Sequence, residues 1–109
     1  MAWLLRDGEV LAAADLVTSL SGRLRVALGP DHLDSVLLVR PAKSAHTLGT
    51  RKPIDVAFCD RDLVVVSTRS MRPRRVGLPC LRAHSIIEAE AGAFERWRLR
   101  PGDQLELRS

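Results

Sequence analysis

The chain has little cysteine, few aromatic rings and no long apolar run, and each shortage removes a class of protein. Two cysteines, Cys59 and Cys80, are too few for a disulfide scaffold, and without a Cys-x-x-Cys pair they make no zinc motif with His46 or His84. Four aromatic residues leave little for stacking nucleic-acid bases, because Phe58, Phe94 and Trp97 fall in apolar segments and only Trp3 remains. No apolar run approaches the roughly 20 residues of a membrane helix, so no membrane partner is expected. The N-terminus reaches Arg6-Asp7-Gly8 after one short apolar stretch; this argues against a signal peptide and sets the expectation of a cytoplasmic protein with reduced thiols. Gly-x-Gly-x-x-Gly and phosphate-loop patterns are absent, and no serine stands in a nucleophile elbow. No cofactor, metal or catalytic residue is assigned.

What is present is enough for one domain over residues 1–109. The chain has 109 residues, of which 46% are hydrophobic, and a chain of this size buries roughly two-thirds of its unfolded surface. Asp7-Gly8 between two apolar runs predicts an N-terminal hairpin, with Arg6 facing Glu9. Thr18 or Ser19 caps a predicted helix that carries Leu20, Leu24 and Leu28 on one stripe and stops at Gly29-Pro30. Val36 to Val39 reads as a buried strand. Ile54, Val56 and Phe58 alternate with Asp55, Ala57 and Cys59, then turn at Asp60-Arg61-Asp62 into a second extended run over Leu63 to Val66. Asp55 is the lone charge in an apolar strand, so it should be half buried and needs a partner.

Pro73 and Pro79 oppose helix and central strand, so Ser67 to Leu81 reads as an exposed basic loop or edge. Ser85 to Ala89 predicts another strand, Ala91 to Trp97 a helical turn burying Phe94 and Trp97, and Gln104 to Arg108 a final strand with one face in the core. The expected class is α+β and β-rich: a small curled mixed sheet or barrel of about six or seven strands, with two short helices.

Charge is unevenly placed. From Arg40 to Arg82 there are ten cations against three acids, Asp55, Asp60 and Asp62, while the remainder of the chain is net −3. Fifteen of the seventeen cations are arginine, which favours two-pronged contacts to carboxylate or phosphate. Solvated loops rich in arginine give the same composition, so the patch alone assigns no function.

His46-Thr47-Leu48-Gly49, followed by Pro53-Ile54-Asp55-Val56-Ala57-Phe58-Cys59-Asp60, resembles the uncharacterised prokaryotic family called domain of unknown function 192. The opening hairpin, the segment Leu20 to Gly29, the strand Val36 to Val39 and the closing run Glu90 to Asp103 agree with it, so the resemblance spans nearly the whole chain. It implies a compact β-rich fold with no established activity. The sequence departs from the family at Thr50 and Lys52, where the family tends to have Met and an aromatic, and at Arg98, where it often has glycine after the last short helix.

Four functional readings follow. The first is a non-catalytic binding module whose Lys43 to Lys52 loop frames a polar, basic pocket for an anionic small molecule, with His46, Thr47, Arg51 and Asp55 as ligand-binding candidates; its basis is the acid-free stretch from Ser35 to Ile54. The second is a weak electrostatic contact to nucleic acid or an acidic protein through Arg69, Arg72, Arg74 and Arg75. The third is a hydrolase-like enzyme with His46 as base and Asp55 as its orienter. Against it, Asp55 could equally satisfy backbone donors while His46 caps the loop. The fourth is a module that works only within a larger assembly, and an exposed apolar patch would be its sign.

Overall fold

The computed structural model describes residues 2–17, 36–47 and 51–109. Its hairpin joins β1 (Ala2–Arg6) to β2 (Glu9–Val17) in antiparallel register, with Arg6 opposite Glu9. Asp7 and Gly8 both take positive φ, 53° and 82°, the backbone that a two-residue turn needs and that Asp-Gly tolerates. The Arg6 side chain goes elsewhere, to a 3.0 Å ion pair with Asp103.

β3 (Val36–Val39) lies parallel to β2. Parallel neighbours need a long connection rather than a tight turn; the helix expected at Thr18 to Leu28 falls outside the described residues. β4 (Ile54–Cys59), β5 (Val65–Met71), β6 (Ser85–Glu90) and β7 (Leu105–Arg108) complete, among the described residues, a mixed seven-stranded sheet of order β5-β4-β6-β3-β2-β1-β7 with one short helix, α1 (Ala93–Trp97). The two ends of the sheet meet where Val65 N–H donates to the Asp103 carbonyl at 2.9 Å and Leu105 N–H to the Leu63 carbonyl at 2.9 Å. That contact curls the sheet.

Alternation on β4 divides the core. Ala57 and Cys59 face a cluster with Leu4, Leu38, Ile87, Phe94 and Leu105, whereas Ile54, Val56 and Phe58 face a second with Ala45, Met71, Ala83 and Ile86. With both faces covered, all six β4 residues are buried. This explains the near-continuous apolar composition of that strand.

Two expectations need correction. The extended run beyond Asp62 reaches Met71 rather than stopping at Val66, because β4 offers a full ladder out to the Ile54 and Met71 pair and the helix- and strand-breaking prolines begin only at Pro73. Trp97 is half-buried, packing its ring 5.6 Å from that of the buried Phe94.

Candidate functional site

Residues 43–47 and 72–83 lie together as an excursion over the second face of the sheet. Thr47 is buried and ties the two stretches: its N–H donates to the Arg75 carbonyl (2.8 Å), its carbonyl accepts from Arg74 N–H (2.7 Å), and its hydroxyl accepts from Arg75 N–H (2.8 Å) while donating to the Arg72 carbonyl. His46 forms an isolated antiparallel bridge with Val76. Farther along, Gly77 N–H donates to the Ala45 carbonyl at 3.0 Å and Cys80 N–H to the Lys43 carbonyl at 2.7 Å. Lys43 Nζ returns to the carbonyls of Leu81 and Ala83, at 2.8 and 2.7 Å.

The excursion presents Arg72, Arg74 and Arg75 to solvent, and none of the three makes a salt bridge among the described residues. Arg69 has a different role. Its guanidinium sits 4.6 Å above the Phe58 ring and donates to the Leu78 carbonyl at 2.7 Å, bracing the excursion against β5. A cation over an aromatic face with one donor on a backbone carbonyl serves as a strut.

Asp55 does not join His46 and Thr47. It pairs with Ser70 across β4 and β5, on the face away from Ile54, Val56 and the excursion. Its Oδ1 accepts from Ser70 Oγ at 2.9 Å, and its Oδ2 accepts from the N–H groups of Gly92 and Phe94 at 3.0 and 3.2 Å. The carboxylate therefore anchors the start of α1 to the sheet. A cavity of about 220 Å³ opens there, lined by Asp55, Thr68, Arg69, Ser70, Phe94 and Glu95 among others. Neither His46 nor Arg51 lines it, and Arg51 is exposed on the approach to β4. Of the residues expected to frame one pocket, His46 and Thr47 thus lie with the excursion, while Asp55 points to the opposite face because successive strand residues alternate sides.

Two buried groups carry shifted acidities. Burial pushes the Cys59 thiol up to about 12, with Asp60 nearby adding to the shift, so the thiolate needed for nucleophilic or metal chemistry is suppressed. Burial likewise raises the Glu88 carboxyl to about 7. Glu88 lies on β6 between Leu37 and Val56 of the neighbouring strands, and its sequence context, a charged position late in an apolar strand, gave no sign of it. Also unforeseen are three apolar side chains of the excursion, Val76, Leu78 and Leu81, which are largely exposed. The acid-free run around them was the available signal. Among the described residues, no three of His, Cys, Asp and Glu gather to hold a metal ion, and no helix is long and apolar enough to cross a membrane.

Comparison with known proteins follows the fold. The model of the DUF192 family, described as "Uncharacterized ACR", matches residues 28–107. No curated protein matches the chain. A crystal structure of a protein of unknown function from Novosphingobium aromaticivorans DSM 12444 superimposes with a TM-score of 0.76 at 18% identity, over 96% of this chain and 82% of that one. A candidate transcription regulator from Sinorhizobium meliloti 1021 gives 0.79 at 19% identity, over 96% of this chain and 90% of that one. At such identities the likeness is one of fold.

Proposed function

The chain belongs to the DUF192 family, whose activity is uncharacterised, and from that premise we propose that it is a non-catalytic binding module for an anionic partner, contacted through the arginines of the excursion. One observation carries the reading: Arg72, Arg74 and Arg75 are exposed, and their backbone is pinned at Thr47 by hydrogen bonds to its N–H, carbonyl and hydroxyl. Cations on an ordered backbone lose less conformational freedom on binding than cations on a free loop. Guanidinium groups suit carboxylate and phosphate oxygens by geometry as well as charge.

A pocket for an anionic small molecule built from His46, Thr47, Arg51 and Asp55 draws less support. The Thr47 hydroxyl is already engaged with Arg72 and Arg75, and Asp55 serves Ser70, Gly92 and Phe94. A His46 base oriented by Asp55 meets the same objection. The reading includes a cytoplasmic location, in keeping with Cys59 and Cys80 both being free thiols.

The test is a titration of isotope-labelled protein with polyglutamate and with a short mixed oligonucleotide, following amide shifts at low and moderate salt. The expected result is shifts along Arg69 to Arg82 that fade as salt is added, weakened about tenfold by joint Arg74→Ala and Arg75→Ala replacement. Shifts confined to Lys43 through Asp55 that survive salt, or no shifts with either polymer, would overturn it.

A further inference from the structure

We propose that the excursion is the docking surface for an acidic segment of another protein that also carries apolar side chains, with Val76, Leu78 and Leu81 forming the apolar contact and the flanking arginines pairing with its carboxylates. This rests on the reading above that these arginines bind an anion, and it goes further in naming the partner's chemistry.

The first ground is exposure. Val76, Leu78 and Leu81 are 73%, 77% and 79% exposed, the largest values among the exposed large hydrophobics of the described residues. Single exposed apolar residues are ordinary, but several gathered on one segment mark an interaction surface.

The second ground is that these side chains are held outward. The carbonyl of Leu78 is bonded by Arg69, that of Leu81 by Lys43, and the N–H of Gly77 by the Ala45 carbonyl. The backbone at Gly77 lies so close to Ala45 and to Met71 of β5 that an added Cβ would stand 3.1 Å from the Ala45 oxygen and 3.2 Å from Met71 Cε. The backbone polar groups at Gly77, Leu78 and Leu81 are thus engaged within the protein, while the side chains of Val76, Leu78 and Leu81 stand in solvent.

The third ground is charge. No Asp or Glu occurs between Leu63 and Ile87, a span that holds Arg69, Arg72, Arg74, Arg75 and Arg82. An occupant must therefore supply the carboxylates itself, and must supply apolar surface to cover the three side chains. Nucleic acid supplies the charge but not the apolar contact, and the excursion offers no aromatic ring for base stacking.

The proposal is tested by fluorescence anisotropy with two short labelled peptides of equal charge, one of glutamate and leucine and one of glutamate and serine. The glutamate and leucine peptide is expected to bind about tenfold more tightly. Leu78→Ser with Leu81→Ser should abolish that difference while leaving the affinity for the serine peptide, and the urea midpoint, unchanged. Arg74→Ala with Arg75→Ala should weaken both peptides. Equal affinity for the two peptides overturns the docking surface and leaves the anion-binding reading standing, whereas binding of neither overturns both. Tighter binding to an oligonucleotide or to anionic phospholipid vesicles, or self-association removed by the leucine replacements, also overturns the proposal by assigning the surface to another occupant.

Discussion

Thr47 and Arg75 are bonded in both directions: Thr47 N–H donates to the Arg75 carbonyl, and Arg75 N–H donates to the Thr47 hydroxyl, each at 2.8 Å. The pair joins the segment that carries the family-like His-Thr motif to the segment that carries the arginines, which lie 28 positions apart in the chain. Replacing Thr47 by Val keeps its shape but removes the hydroxyl, leaving the Arg75 N–H without its acceptor. The expected cost is about 1–3 kcal/mol, read from urea unfolding, with faster amide exchange at Arg75 and weaker binding of acidic peptide although no charge has changed.

Asp55 performs the corresponding task on the opposite face. Asp55→Ala removes the acceptor of Ser70 Oγ and of the Gly92 and Phe94 N–H groups, and should destabilise the fold by about 2–4 kcal/mol. Asp55→Asn keeps one acceptor oxygen and should cost less. Equal unfolding midpoints for wild type and Asp55→Ala would show that the carboxylate does not anchor α1.

Glu88 makes stability depend on pH. Its carboxyl rises from an ordinary 4.5 to about 7 because burial between strands disfavours the charge. The folded chain therefore retains a proton that the unfolded chain releases, and stability falls as pH rises from about 4.5 to about 7, by about 3 kcal/mol. Glu88→Gln has no such proton to lose. It should remove this fall, so that the variant is more stable than wild type at about pH 8 and shows a flatter profile in urea titrations across this range.

Arg98 ends α1 with φ 53° and ψ 42°, in the left-handed region. That conformation lets its N–H reach the Glu95 carbonyl at 3.1 Å and the Leu99 N–H reach the Phe94 carbonyl at 2.9 Å, but it crowds any side chain with a Cβ. Arg98→Gly should raise stability by about 0.5–1 kcal/mol, seen as a higher melting temperature. Arg98→Ala retains the Cβ and should bring no such gain.

The hairpin, the strands and the closing helical turn were legible because their signals are local. Asp7-Gly8 fixes a turn through two backbone angles, and the two-residue period of Ile54, Val56 and Phe58 assigns a face to each side chain. The same alternation shows why the candidate site was not legible as one unit. Asp55 is close to His46 and Thr47 in sequence, yet one step along a strand reverses its direction, and its donors come from Ser70, Gly92 and Phe94. Arg69 is indistinguishable in composition from Arg72, Arg74 and Arg75, but only Arg69 stands over the Phe58 ring.

By itself the sequence determined the β-rich class, the order of strands along the chain, the family and the concentration of arginine between Arg40 and Arg82. These depend on residue type, spacing and neighbours within a few positions. Tertiary structure decided that Asp55 braces α1, that Thr47 fastens the basic excursion and that Val76, Leu78 and Leu81 face outward. The physical reason is that a buried donor must find an acceptor wherever the fold brings one, and a side chain's exposure is set by the room left when distant segments pack. Neither quantity is local, so neither can be read from spacing alone.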